Sequence, residues 1–344
     1  MSSKSSNAVL AKARAMYGRS LKDSDYRQLA ECRTVPEIAS YLKTRTSYGK
    51  ALAGLVEGDI HRGQLEPLLK QELYLDIHAL SRYTSDNSVA FSDFIISKME
   101  IEQIIRYLML LNINKPEDYA YSMPLSLDKF ADISFGRIAR SRSYDDLLTN
   151  LRSTKYFSVL KEFRPRENEK IKISEIELAL NKNNYGSAIE AMSKAKGKTE
   201  QKELKDIFMA MLDFENLSRI LRLKKYYSFE PEKIKEMLLP YGKLPKKALE
   251  EMCDADSAKD VLELARNSYI GKLMSKLQYS SPNQITDAMR NIYCKHHLRL
   301  SPNPTIVMIS YVYLKEIELH NIVNIIEATR YGLSVDEKLR LPVR

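Results

Sequence analysis

Three stretches of this chain read alike, and their recurrence limits what it can fold into. They are TVPEIASYLKTRTSYGKAL (Thr34–Leu52), SYDDLLTNLRSTKYFSVL (Ser143–Leu160) and SAKDVLELARNSYIGKL (Ser257–Leu273). Each opens on S/T-x-x-D/E: Thr34 with Glu37, Ser143 with Asp146, Ser257 with Asp260. That spacing is the capping-box signature of a helix start. The hydroxyl accepts an orphan N–H of the first turn, and the acid reaches back to the N–H of the cap residue. An aliphatic run follows, and then, about a dozen residues on, a tyrosine: Tyr48, Tyr156 and Tyr269. Roughly fifty residues after each tyrosine stands a second shared element, acid-x-x-amide followed by an aliphatic residue. Its members are Glu100 with Gln103, Asp213 with Asn216, and Glu318 with Asn321. Residues three apart share a helix face, so each acid lies beside its amide. The unit recurs every 105 to 115 residues or so, far longer than the ~20–50 of a solenoid repeat. The expectation is three small helical domains, 1–115, 116–235 and 236–344, rather than a stacked array.

The residues between these elements are helical in pattern. Ser92–Asn112 places Ile95, Met99, Ile104, Leu108 and Leu111 on one stripe. Lys205–Tyr227 does the same with Ile207, Met211, Phe214, Leu217 and Leu221. No period-two alternation flanked by hairpin turns is evident, so strands are minor at most and the fold class is all-α. Prolines punctuate at Pro116 and Pro124, at Pro231, Pro240 and Pro245, and at Pro282, Pro302 and Pro304. They mark boundaries between helical groups. Asn303-Pro304 reads as an N-cap followed by the first helical residue.

Composition excludes several classes. Three scattered cysteines, Cys32, Cys253 and Cys294, form no CxxC and argue against a disulfide framework. The opening MSSKSSNAVLAKARAMYG lacks an apolar core, so secretion is not expected. The apolar run Thr305–Leu314 falls well short of the ~20 residues that a spanning helix needs. The net charge of +9 among 344 residues favours an acidic partner: nucleic acid, an anionic membrane surface or an acidic protein. That excess is spread along the chain, which also fits a solvated surface with a lysine bias.

No catalytic or binding constellation emerges. Glu316 and Glu318, two apart, point to different sides of a helix and cannot form a close carboxylate pair. CKHH (Cys294–His297) lacks the second cluster that a zinc site requires, and His61, His78 and His320 are isolated. Neither a Walker-type nor a dinucleotide-binding glycine motif is present, and no nucleophile stands in a triad context. No metal or cofactor is expected. The acid–amide pairs read instead as structural, pinning helix N-termini or loops of an adjoining domain. Basic runs with aromatics, Arg222–Lys235 and Arg137, Arg140 and Arg142, keep a nucleic-acid scaffold open as an alternative, although no recognised binding motif accompanies them. A hydrolase would need a convergent polar pocket that the sequence does not advertise.

Three stretches together carry a resemblance. ARAMYGRSLKDSDYRQLAECRTVPEIASYLKTRTSYGKAL near the start, LDFENLSRILR in the middle and PNPTIVMISYVYLKEIELHNIVNIIEATRYGLSVDEKLR at the end resemble the C subunit of bacterial and archaeal V/A-type rotary ATPases, whose eukaryotic equivalent is the d subunit. The likeness covers nearly the whole chain. Asn324 stands where that family often has arginine, which leaves the role of that position open. The resemblance implies an all-α funnel of three similar domains about a pseudo-threefold axis. It implies a peripheral place on the cytoplasmic face of the membrane, partnered by the central-shaft subunits and the proteolipid ring. It further implies torque transfer between shaft and ring, with no chemistry of its own. An anionic membrane surface is a further candidate partner, and nucleic acid is not expected on this view.

Overall fold

A computed structural model describes residues 3–56, 60, 62–81, 86–124, 128, 130–166, 169–194, 198–227, 229–274 and 282–344. It is all-α, with no strand among the described residues. The helices run α1 Ser3–Gly18, α2 Asp23–Glu31, α3 Val35–Arg45, α4 Arg62–Ser81 and α5 Asp86–Asn112. Then come α6 Phe135–Arg140, α7 Tyr144–Asn150, α8 Phe157–Glu162, α9 Ile173–Ser193 and α10 Lys198–Tyr226. The last are α11 Pro231–Glu236, α12 Lys246–Asp254, α13 Ala258–Arg266, α14 Gly271–Met274, α15 Pro282–Leu300, α16 Pro304–Arg330 and α17 Val335–Leu339. Their order recurs along the chain. A short helix (α2, α6, α12) precedes a second short helix (α3, α7, α13), a turn bearing the tyrosine, a longer helix (α4, α9, α15) and the longest one (α5, α10, α16).

Side-chain caps start the second helix of each set. Thr34, Ser143 and Ser257 each accept the backbone N–H of the acid three residues on, at 3.3, 3.1 and 3.2 Å. The acids answer differently. Asp146 closes the full box on the N–H of Ser143, at 3.1 Å. Asp146 also accepts the N–H of Arg142 at 2.9 Å, and Glu37 accepts the equivalent N–H of Arg33 at 2.8 Å. Asp260 instead accepts the Ser257 hydroxyl at 2.6 Å. Asn303 caps α16, accepting the N–H of Thr305 at 3.0 Å with Pro304 as the first helical residue. A second full box, Ser334 with Glu337, opens α17. Each cap contributes about 1 kcal/mol and sets where its helix begins.

The larger stabilisation comes from apolar burial. Contacts divide the chain into two compact units. One comprises Met1–Ala30, Met192–Ile325 and Leu333–Arg344; the other Glu31–Ala191 and Ile326–Gly332. In the first, α10 packs on α13 and α15, burying Ile207, Phe208, Met211, Phe214, Leu217 and Leu221. In the second, α5 packs on α4, α6 and the 3-10 turn Pro116–Tyr121. Its core holds Ile104, Tyr107, Leu108, Tyr119, Phe135, Leu147 and Tyr156. At roughly 1.5–3 kcal/mol for each fully buried large side chain, these cores outweigh the caps. The apolar stripes foreseen on α5 and α10 face these cores. However, Ala210 to Phe214 are buried consecutively, so the middle of α10 is enclosed on every side. That enclosure places an acid, Asp213, out of reach of water. No helix among the described residues is long and apolar enough to cross a membrane.

Candidate functional site

The three acids Glu100, Asp213 and Glu318 all lie in the long helices α5, α10 and α16, and all are buried, as are their amides Gln103, Asn216 and Asn321. A buried carboxylate must find donors. Asp213 finds three for one oxygen. Its Oδ2 accepts the N–H of Lys243 at 2.8 Å, the N–H of Leu244 at 3.0 Å and the Tyr269 hydroxyl at 2.6 Å. Its Oδ1 is buried without a hydrogen-bond partner. One turn on, Asn216 grips Leu239 from both sides: its amide donates to the carbonyl and its oxygen accepts the N–H, each at 2.8 Å. A turn further, Arg219 donates to the carbonyl of Met237 at 2.6 Å. Three residues spaced three apart thus clasp the connection 237–244 along its length. That connection turns at Tyr241, whose φ is +80°. It then passes so close that a Cβ on Gly242 would lie 1.9 Å from Asp213 Oδ1.

Glu100 repeats the arrangement. Its Oε1 accepts the N–H groups of Asp132 and Ile133, the latter at 3.2 Å, and its Oε2 accepts the Tyr156 hydroxyl. Gln103 accepts the Tyr119 hydroxyl at 3.2 Å. The acid-to-tyrosine separation is 56 residues in both cases, so each acid meets the tyrosine of the following copy. Asp213 does this although its tyrosine sits one place earlier in the turn. Ser268 precedes Tyr269 directly, whereas Thr154, which accepts the N–H of Tyr156 at 3.3 Å, precedes it by two.

Glu318 has its own set of donors. Its Oε2 accepts the N–H of Leu21 and its Oε1 the ammonium of Lys315, both at 2.7 Å. Asn321 grips Val343 as Asn216 grips Leu239: donor to the carbonyl and acceptor from the N–H, each at 2.8 Å. It also donates to the Tyr26 hydroxyl at 3.2 Å. Tyr48 is fully buried, its N–H donated to Thr46 at 3.3 Å. Glu316 is only partly buried, in keeping with its direction away from Glu318. Asn324 is exposed, whereas Arg219, at the corresponding place in the second copy, is engaged on Met237.

Burial raises the carboxyl pKa of Glu100 and of Asp213 above the usual range, and the tyrosine and backbone donors offset only part of that rise. Tyr156 and Tyr269 are pushed far up, first by burial and then by the neighbouring carboxylate, so they remain protonated donors. These groups hold backbone N–H groups of the connecting segments.

The remaining candidates stay apart. Burial pushes the Cys294 thiol up to about 12 and lowers the His297 imidazole. Among the described residues no group of three His, Cys, Asp or Glu could hold a metal ion. His61 lies outside the described residues. Arg140 and Arg142 donate to carbonyls of α6, at 3.1 Å to Gly136 and 3.0 Å to Ala139. In the other basic run Lys235 pairs with Asp254 at 2.6 Å, while Tyr226 and Tyr227 are exposed.

Sequence reasoning placed the acids, amides and tyrosines in repeating elements and expected the pairs to pin helix N-termini or loops, but it named none of the groups they hold. The partners at Leu21, Asp132, Ile133, Leu239, Lys243, Leu244 and Val343 are backbone groups, which any residue type supplies. The available signals were the equal spacing of acid and tyrosine, and Gly242 at the point of closest approach.

Residues 9–340 match the family model described as ATP synthase (C/AC39) subunit. The chain is similar to the C subunit of the A-type ATP synthase of Pyrococcus abyssi, 24% identical over 336 residues that cover 95% of this chain and 87% of the relative. The corresponding protein of Pyrococcus horikoshii is 24% identical, with 90% and 81% covered. That of Methanosphaera stadtmanae is 22% identical, with 94% and 84% covered.

Proposed function

Because the chain belongs to the ATP synthase (C/AC39) subunit family, whose members are accessory and non-catalytic subunits of a rotary ATPase, we propose that it couples rotation of the central shaft to the membrane proteolipid ring. The family match over residues 9–340 carries this proposal. Its partners within the complex are then the shaft subunits on one side and the ring on the other, at the cytoplasmic face of the membrane. On this reading the repeated helix sets are three domains, 1–115, 116–235 and 236–344, as the resemblance implies.

The mechanism is mechanical. Torque passes through a body only as far as the body resists twisting, and a connection clasped by buried hydrogen bonds resists better than one held by exposed contacts. The acid–amide clasps of the long helices lock connections between shorter ones, and Asp213, Asn216 and Arg219 hold one such connection along its length. A broad, shape-fitted contact with shaft and ring then requires no reactive side chain.

Affinity purification from detergent-solubilised membranes, using a tagged copy of this chain, tests the proposed partners. The expected eluate contains the proteolipid ring together with shaft subunits. Recovery of the catalytic headpiece without ring or shaft would refute the placement.

A further inference from the structure

In the first unit a cleft of about 540 Å³ opens beside the third clasp, a volume in the range of small-ligand sites. One wall is α15. Asn291, Lys295 and Arg299 stand on it at i, i+4 and i+8, so all three share the face that lines the cleft. Across from them lie Tyr17, Lys22 and Arg344.

Two independent features mark this cleft. The first is Asn291. It is only 4% exposed, and its carboxamide makes no hydrogen bond among the described residues. Its amide lines an open cleft, where it can donate to a ligand without giving up an existing bond. The second is charge. Lys295 and Arg299 are like charges one turn apart, an arrangement that destabilises a helix. Neither makes an ion pair among the described residues. Burial, reinforced by Arg299, lowers the ammonium pKa of Lys295. Two carboxylates also line the cleft: Glu318, engaged by Lys315 and Leu21, both at 2.7 Å, and Asp23, which Arg344 approaches at 3.5 Å and whose charge favours the Lys295 ammonium. The amide, ammonium and guanidinium of this row make no hydrogen bond or ion pair among the described residues, and the basic side chains lining the cleft outnumber its two carboxylates.

We propose that this cleft binds a phosphoryl oxyanion, with Asn291 donating from the buried end of the row and Lys295 and Arg299 supplying the charge. A guanidinium fork matches two phosphoryl oxygens and an ammonium a third. The phosphoryl group comes either from a soluble phosphate compound or from a phospholipid headgroup. The inference does not rest on the coupling role.

The test uses the full chain. Thermal melting and titration calorimetry with inorganic phosphate are compared with chloride at equal ionic strength. Co-sedimentation compares phosphatidate-containing vesicles with pure phosphatidylcholine vesicles. Phosphate is expected to raise the melting temperature and to bind saturably, with Lys295→Gln weakening it about tenfold and Lys295→Gln/Arg299→Gln abolishing it. Neither substitution is expected to lower the melting temperature of the free protein, because each relieves a repulsion. Asn291→Leu, which keeps the site buried, serves as the second variant and is expected to weaken phosphate as well. Phosphatidate-dependent sedimentation that the same variants abolish, with no effect of free phosphate, assigns the site to a headgroup. Binding of neither, or binding unchanged by all three variants, overturns the proposal.

Discussion

Asp213→Ala lowers the free energy of unfolding by about 3–5 kcal/mol, with each buried donor left unpaired costing roughly 1–3 kcal/mol. Three donors lose their acceptor at once: the Tyr269 hydroxyl and the N–H groups of Lys243 and Leu244. The enclosed middle of α10 gives water no ready entry to replace the missing oxygen. Asp213→Asn keeps the shape and one carbonyl oxygen, so its cost at neutral pH is smaller, about 1–2 kcal/mol. The two variants also differ in pH dependence. The folded-state pKa of Asp213 is raised, chiefly by burial, so the folded protein holds that proton more tightly than the unfolded chain does. The stability it confers is present at low pH and is lost as pH rises through the folded-state value. Asparagine does not titrate. The difference between wild type and Asp213→Asn therefore widens as pH falls into the carboxylate range. Urea unfolding between neutral pH and about pH 4, near the unfolded pKa of aspartate, measures both effects. A cost for Asp213→Ala below about 1 kcal/mol, typical of a surface site, would remove the clasp from the account.

Gly242→Ala produces a comparable loss by the opposite route, adding an atom where there is no room. Its Cβ would stand 1.9 Å from Asp213 Oδ1 and 2.9 Å from Cγ. The carboxylate is held through Oδ2 by three donors, so it cannot swing aside without releasing them. Overpacking of this kind costs about 2–3 kcal/mol. The two substitutions are coupled. Once Asp213 is alanine the obstructing oxygen is gone, and Gly242→Ala becomes nearly free. A double-mutant cycle is expected to show about 2 kcal/mol of coupling, and strict additivity would mean that the close approach is not what constrains Gly242.

Much of this architecture is legible in the chain. Helical periodicity marks α5 and α10 as helices, and the Asn303-Pro304 pair locates the start of α16. The S/T-x-x-D/E spacing finds all three caps. The reach of each acid is less legible: Asp146 holds both Arg142 and Ser143, Glu37 holds Arg33, and Asp260 takes the Ser257 hydroxyl. Burial of the acids is the hardest part to foresee. A stripe of apolar residues describes one face of α10, but whether the other faces are also covered depends on helices far away in sequence, such as α13 and α15. The loop partners are backbone N–H groups and leave no trace in residue identity. The same limit hid Lys315, whose buried charge makes sense only beside Glu318. The cleft along Asn291, Lys295 and Arg299 was also missed, since a polar row on a helix ordinarily faces solvent.

The coupling role is tested most directly by measuring ATP hydrolysis and ion uptake together in membrane vesicles from cells with and without this chain. With it, the two activities rise and fall together. Without it, the account predicts that the catalytic headpiece continues to hydrolyse ATP while ATP-driven ion uptake disappears, and that restoring the chain restores uptake. Ion uptake at the normal rate in its absence would contradict the account.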